Sequence, residues 1–75
     1  MTQKEFRSRL ADLAEEFDRI AMRAKSAEAD EDYERLSDLN SQRYGISTAL
    51  AILGYDIHTH YRTDGKIYSI ILRAD

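Results

Sequence analysis

The sequence predicts an α+β fold in one domain, residues 1–75: an antiparallel helical hairpin followed by a two-stranded antiparallel β-hairpin, in the order ααββ. Two long segments repeat apolar residues at intervals of three and four positions, the pattern of an amphipathic helix. Two shorter segments near the end of the chain alternate in character and flank Asp64-Gly65. Asp-Gly between alternating segments is a strong β-hairpin signal, because the turn needs positive φ angles.

The first helix is predicted over residues 3–23. Thr2 and Glu5 form a T-x-x-E capping box, in which the two residues satisfy backbone amides that the helix start leaves free. One apolar stripe then runs along the helix: Phe6, Leu10, Leu13, Phe17, Ile20 and Ala24. We expect this stripe to pack on the second helix.

The second helix is predicted over residues 30–53. Five of the seven residues 28–34 are acidic, and a helix dipole favours anions at its N-terminus. Its stripe comprises Leu36, Leu39, Arg43, Ile46, Leu50 and Leu53. Gly54 suits the position just past a helix, where a left-handed conformation ends it. The short connection predicts that the two helices are antiparallel neighbours.

Two residues of the second helix are unusual in their positions. Gly45 weakens a helix interior, and beside Ser47, Thr48 and Ala49 it forms a small-residue surface. We expect this surface to pack closely on helix 1 or the hairpin; a kink or a partner's docking site are the alternatives. Arg43 falls within the apolar stripe, so its stem should lie along the core with its head in water. It could instead pair with an acid on helix 1 or across a dimer interface.

The β-hairpin is predicted over residues 55–73, with Asp64-Gly65 as a two-residue loop. Thr63 then pairs with Lys66, and Asp56 pairs with Arg73 at the other end. One face, expected to cover the helices, holds Ile57, Thr59, Tyr61, Tyr68, Ile70 and Leu72. The other holds Asp56, His58, His60, Arg62, Ile67, Ser69, Ile71 and Arg73. A slip of one residue would exchange these faces.

Composition and charge narrow the class of protein. The chain has no cysteine, which excludes disulfides and thiolate metal sites and fits a reducing compartment. No apolar run is long enough for a membrane span, and the N-terminus lacks the apolar segment of a signal peptide, so a cytoplasmic protein without membrane association is expected. Residues 26–54 carry six acidic and two basic side chains, an excess of negative charge that disfavours a nucleic-acid partner.

Few side chains form a pattern associated with chemistry. His58 and His60 share a strand face and could ligate a metal with Asp56, but a closed zinc site needs four ligands. The acidic run could attract a basic partner, such as the DNA-binding groove of another protein, although a solvated helix start is the favoured interpretation. No nucleophile motif and no Gly-rich phosphate loop is present, so neither enzymatic activity nor a cofactor is expected.

The sequence is therefore interpreted as a small non-enzymatic interaction protein. Its function would be that of an inhibitor or regulator, of a phage or mobile-element type, that occludes a macromolecular target and forms a homodimer. The partner-interface residues predicted for it are Tyr44, Ile52, His58, His60, Ile67 and Ile71. The alternative is a small nucleic-acid-associated regulator that uses the arginines of helix 1, or Arg62 and Lys66, to contact phosphates.

Overall fold

The computed structural model describes residues 1–74 of the chain. It contains helix α1 (Gln3–Ala29), helix α2 (Tyr33–Ile52), strand β1 (Tyr55–Tyr61) and strand β2 (Ile67–Arg73). The two strands pair antiparallel in a two-stranded sheet. The predicted α+β fold, a helical hairpin followed by a β-hairpin, is confirmed.

Helix α1 begins as predicted but ends later. The Thr2 hydroxyl accepts a hydrogen bond from the Glu5 amide at 3.1 Å, which caps the first turn. The helix continues past the predicted end because good helix formers follow and Ala27, fully buried, extends its inner face. It ends in a Schellman motif: the Asp32 amide bonds to the Ala27 carbonyl at 2.9 Å. Glu31 takes the left-handed position of that motif, with φ of 55°.

Helix α2 accordingly starts at Tyr33 instead of residue 30. Asp32 is its N-cap, and the Asp32 carboxylate accepts a hydrogen bond from the Arg35 amide at 3.2 Å. Part of the acidic run therefore forms the connection between the helices. The C-terminal end follows the prediction, since Gly54 has φ of 88° just beyond the helix.

The core lies between the two helices and is built largely from small residues on α1. Alanines supply half of the buried apolar residues: Ala14, Phe17, Ile20, Ala21, Ala24, Ala27, Leu39 and Leu50. Small side chains on α1 let α2 approach closely, and Leu36 and Ile46 pack around the central cluster. The prediction that Leu53 completes the α2 stripe is wrong, because its side chain is 70% exposed where the helix ends.

The hairpin register differs from the predicted one by one residue. Tyr61 pairs with Ile67, and Asp56 pairs with Leu72 instead of Arg73. The loop has three residues, 63–65: the Arg62 amide bonds to the Lys66 carbonyl at 2.8 Å and closes it. Gly65 adopts φ of 85° after a tight turn, which is the arrangement of a three-residue hairpin loop with a bulge. The Asp64 carboxylate holds this turn by accepting from the Lys66 amide at 3.0 Å.

The shift turns β2 over relative to the prediction. The inner face of the sheet, toward the helices, is partly buried and comprises Tyr55, Ile57, Thr59, Ile67, Ser69 and Ile71. For β1 the predicted inward positions of Ile57 and Thr59 are confirmed. For β2 the prediction is wrong: Ile67 and Ile71 face the helices, whereas Tyr68, Ile70 and Leu72 face outward. A side-chain pair on the inner face, Thr59 with Ser69, is hydrogen-bonded at 2.9 Å between hydroxyl oxygens.

Candidate protein-interaction surface

The outer face of the sheet is an exposed surface of mixed character. We call it the outer sheet face and define it by Asp56, His58, His60, Tyr68, Ile70 and Leu72. Its β2 residues are large and apolar or aromatic, and Ile70 and Leu72 remain 43% and 53% exposed. The His60 and Tyr68 rings stack, with centroids 4.9 Å apart and an interplanar angle of 18°. This stacking turns one face of each ring toward the other, while both residues remain exposed.

The structure places the six predicted interface residues in three locations. His58 and His60 lie together on the outer sheet face, and Tyr44 and Ile52 are exposed on α2, at 74% and 80%. Ile67 and Ile71 lie on the opposite face of the sheet, partly buried against the helices.

The prediction places Ile67 and Ile71 on the outer face of β2. In the structure, the outward positions of this strand are held by Tyr68, Ile70 and Leu72. Apolar residues occur at both alternating sets of β2 positions, so the alternation alone could not separate the two faces.

A second exposed surface runs along one side of α2 and bears no charge. It is a shallow depression, named here the α2 face, lined by Tyr33, Leu36, Ser37, Asn40, Ser41 and Tyr44. Tyrosine with small polar residues is the composition of many binding surfaces, because tyrosine offers large contact area at low entropic cost. Gly45 lies close by and is exposed, with nothing within 4 Å of where a Cβ would stand. The prediction that Gly45 permits close packing within the subunit is therefore wrong.

Arg43 is held against the core by an aromatic ring. Its guanidinium carbon stands 4.5 Å from the centroid of the Phe17 ring on α1, a cation–π contact. The Arg43 Nε is buried without a hydrogen-bond partner among the described residues. The prediction that the Arg43 stem lies along the core agrees with this position. The alternative of an ion pair with an acidic residue of helix 1 is not observed among the described residues, because the contact on that helix is the Phe17 ring.

The two free edges of the sheet differ. On the β2 edge, Asp18 of α1 accepts a hydrogen bond from the Ser69 amide at 3.0 Å and a second from the Ser69 hydroxyl. The Asp18 carboxylate thus takes the Ser69 amide, which an additional strand would need for pairing at this edge. On the β1 edge, none of the hydrogen bonds found within residues 1–74 reaches an outward backbone group of Ile57 or Thr59.

A groove of about 690 Å³ separates the first half of α1 from the end of β2. The apolar part of its lining includes Phe6, Leu10 and Ala14 on α1 and Ile71 on β2. Within this lining, the Phe6 ring contacts the Tyr55 ring, with 5.9 Å between their centroids. Its volume is close to the volume of about 630 Å³ at the depression on α2.

Within residues 1–74, the ion pairs between charged side chains are local in sequence. Arg19 pairs with Glu16 one helical turn away, and Arg62 stands 3.6 Å from Asp64 within the hairpin loop. Within residues 1–74, no three histidine or acidic side chains converge as metal ligands would. In the same part of the chain, neither helix is long and apolar enough to cross a membrane. Comparison of the chain with protein-family models, curated proteins and solved structures finds no match in any of the three.

Proposed function

We propose that this chain is a non-enzymatic protein–protein interaction module that acts in the cytoplasm and self-associates. In this proposal the associated form presents its remaining exposed faces to a macromolecular target and thereby inhibits or regulates it. The outer sheet face and the α2 face are the surfaces that we assign to the contacts with the target.

The observation that carries this proposal is the large solvent-accessible surface area of the single chain. A folded monomer of 8.7 kDa is expected to expose about 4,700 Å² by the usual scaling of area with mass. This structure exposes 5741 Å², which is about 1,000 Å² more. A stable interface removes about 800 Å² from each partner, so the surplus corresponds to one side of such an interface.

The shape of the molecule accounts for the surplus and supports the same proposal. The radius of gyration is 13.4 Å, against about 11 Å expected for a compact domain of this length. Helix α1, of 27 residues, spans the long axis of 42 Å, and the small sheet covers only part of the helical hairpin. An elongated subunit with uncovered apolar positions is stabilised when another protein covers them.

Nucleic acid is not the partner that we propose. The nucleic-acid alternative uses Arg19 and Arg62, among other cations, to contact phosphates. Each of these two arginines is paired with a carboxylate of its own chain. Releasing them for a phosphate would sacrifice those pairs, and the net charge of −3 opposes approach to a polyanion.

The proposal is tested by measuring the mass of the intact chain in solution. Light scattering during size-exclusion chromatography, across micromolar concentrations, should give twice the 8.7 kDa of one chain. A mass of one chain at every concentration would contradict self-association. The same experiment with a duplex DNA probe at low salt should leave the elution volume unchanged, and a shift of protein with the DNA would favour the nucleic-acid alternative.

A further inference from the structure

The outward backbone groups of β1 form an open pairing edge. Two hydrogen bonds show which residues of β1 bond to β2. At the loop, the Arg62 amide donates to the Lys66 carbonyl, and at the other end the Ala74 amide donates to the Gly54 carbonyl at 2.9 Å. In an antiparallel pair, alternate residues bond to the partner strand and the others point away. The even-numbered residues of β1 therefore bond to β2, and four odd-numbered residues present outward amides and carbonyls: Tyr55, Ile57, Thr59 and Tyr61.

Nothing in β1 itself protects this edge. The strand is regular over seven residues, pairs without a bulge and contains neither proline nor lysine, the usual means of blocking an edge. Just before it, Ile52 and Leu53 are 80% and 70% exposed at the end of α2. Apolar side chains thus stand at the start of an unpaired strand edge, where a second protein would bury them.

The opposite edge is closed, which limits how far the sheet can grow. Asp18 holds the Ser69 amide at the middle of the β2 edge, so another strand cannot pair there without displacing it. A subunit with two open edges would add neighbours without end. A subunit with one open edge forms a closed pair related by a two-fold axis.

The sequence of β1 is complementary to itself when two copies run antiparallel over their full length. The centre of such a pair is His58, which meets the partner's His58 on the two-fold axis. Asp56 then stands opposite the partner's His60, so that an imidazole N–H can bond to a carboxylate twice in the dimer. Tyr55 stands opposite the partner's Tyr61, an aromatic pair at each end of the ladder.

We infer that a second copy of this chain binds the β1 edge and forms a continuous four-stranded sheet of order β2-β1-β1-β2. This inference rests on the proposed self-association and assigns its interface. The surplus of about 1,000 Å² per subunit is sufficient for it. It also explains how a two-stranded sheet, marginal alone in water, becomes part of a larger one.

Two single-cysteine variants test the geometry, because the chain has no cysteine of its own. In H58C the two thiols would face each other across the axis at a Cα separation of about 4.5 Å, within reach of a disulfide. In I70C, the matched control, the cysteine lies on the same outer face and directly beside His58, but one strand further from the axis. Its two copies would stand about 14 Å apart, three strand spacings, which no disulfide spans.

Mild oxidation followed by non-reducing electrophoresis should therefore give a covalent dimer for H58C and not for I70C. Failure of H58C to cross-link while its circular dichroism spectrum stays native would overturn the β1 pairing. Equal cross-linking of both variants would also overturn it, because it would indicate random collision.

A charge exchange tests the register independently. His60→Asp places two carboxylates opposite each other at each end of the interface, and the dissociation constant should rise about three- to thirty-fold. The double variant D56H/H60D restores an acid opposite an imidazole only if the strands belong to different copies, and it should recover most of the affinity. Absence of recovery would contradict the full-length register.

The outcomes separate this inference from the proposed function. A monomer by light scattering contradicts both. A dimer that H58C does not cross-link keeps the self-association and contradicts the β1 edge. The dimer interface would then lie on the outer sheet face or on the α2 face.

Discussion

Asp18 is the residue on which the attachment of the β-hairpin to the helices most depends. It accepts hydrogen bonds from both the amide and the hydroxyl of Ser69, 51 positions later in the chain. These are the only side-chain hydrogen bonds that join a helix to a strand within residues 1–74. Replacing Asp18 by alanine removes both and leaves the Ser69 amide at the sheet edge without its acceptor.

The magnitude follows from the number and environment of these bonds. A hydrogen bond to a charged group contributes about 1.5–3 kcal/mol when buried and less when water has access. The two bonds here are partly buried, so we take about 1 kcal/mol for each and expect D18A to lose about 2 kcal/mol. A domain of this length has a total stability of about 4–11 kcal/mol, which makes this a large fraction of it.

Urea unfolding followed by circular dichroism measures this loss. With a slope of about 1 kcal/mol per molar urea, the midpoint should fall by about 2 M. The matched control is D12A on the same helix, where Asp12 is exposed and bonds to nothing in the described chain, so that the gain in helix propensity is the same. Equal midpoints for D18A and D12A would refute the reasoning. D18A should also open the β2 edge and yield species larger than a dimer in light scattering.

Three further comparisons test the local structure by urea unfolding in dilute protein. Gly45→Ala should stabilise the chain by about 0.5–1 kcal/mol because the new methyl meets open space, whereas Gly65→Ala should destabilise it by about 1–2 kcal/mol because φ there is 85°. Equal signs would contradict this. Leu50→Ala, at 2% exposure, should cost about 2–5 kcal/mol and Leu53→Ala, at 70% exposure, about 0.5 kcal/mol or less. Arg43→Met should change stability by less than about 1 kcal/mol, because it keeps the packed stem and removes an unpartnered Nε–H. A loss above about 2 kcal/mol would mean that the guanidinium charge itself is required.

The helices illustrate what the sequence can predict. The capping residues of α1 and the glycine after α2 each specify a local backbone conformation, and both ends lie where they indicate. The predicted end of α1 is wrong because Glu31 occupies a left-handed position that glycine normally takes. A glutamate there gives no sequence signal, and the turn is determined by the packing of the helices around Ala27.

The hairpin illustrates the opposite case. Asp64-Gly65 located the turn correctly, but the same dipeptide is compatible with a two-residue loop and with a three-residue loop that ends in a left-handed glycine. The choice between them moves the register by one residue. Because β2 has isoleucine at both odd and even positions, hydrophobic alternation could not decide it. The pairing of Thr59 with Ser69, and of Ser69 with Asp18, is a tertiary feature that the local sequence does not contain.

Amide hydrogen exchange on β1 tests most directly the claim that a second copy pairs with this edge. The amides of His58 and His60 bond to β2 within one subunit and should be protected at any concentration. The outward amides of Ile57 and Thr59 should be protected only in the dimer, so their exchange should slow as protein concentration rises through the dissociation constant. Rapid exchange of Ile57 and Thr59 at every concentration, with His58 and His60 protected, would contradict the account.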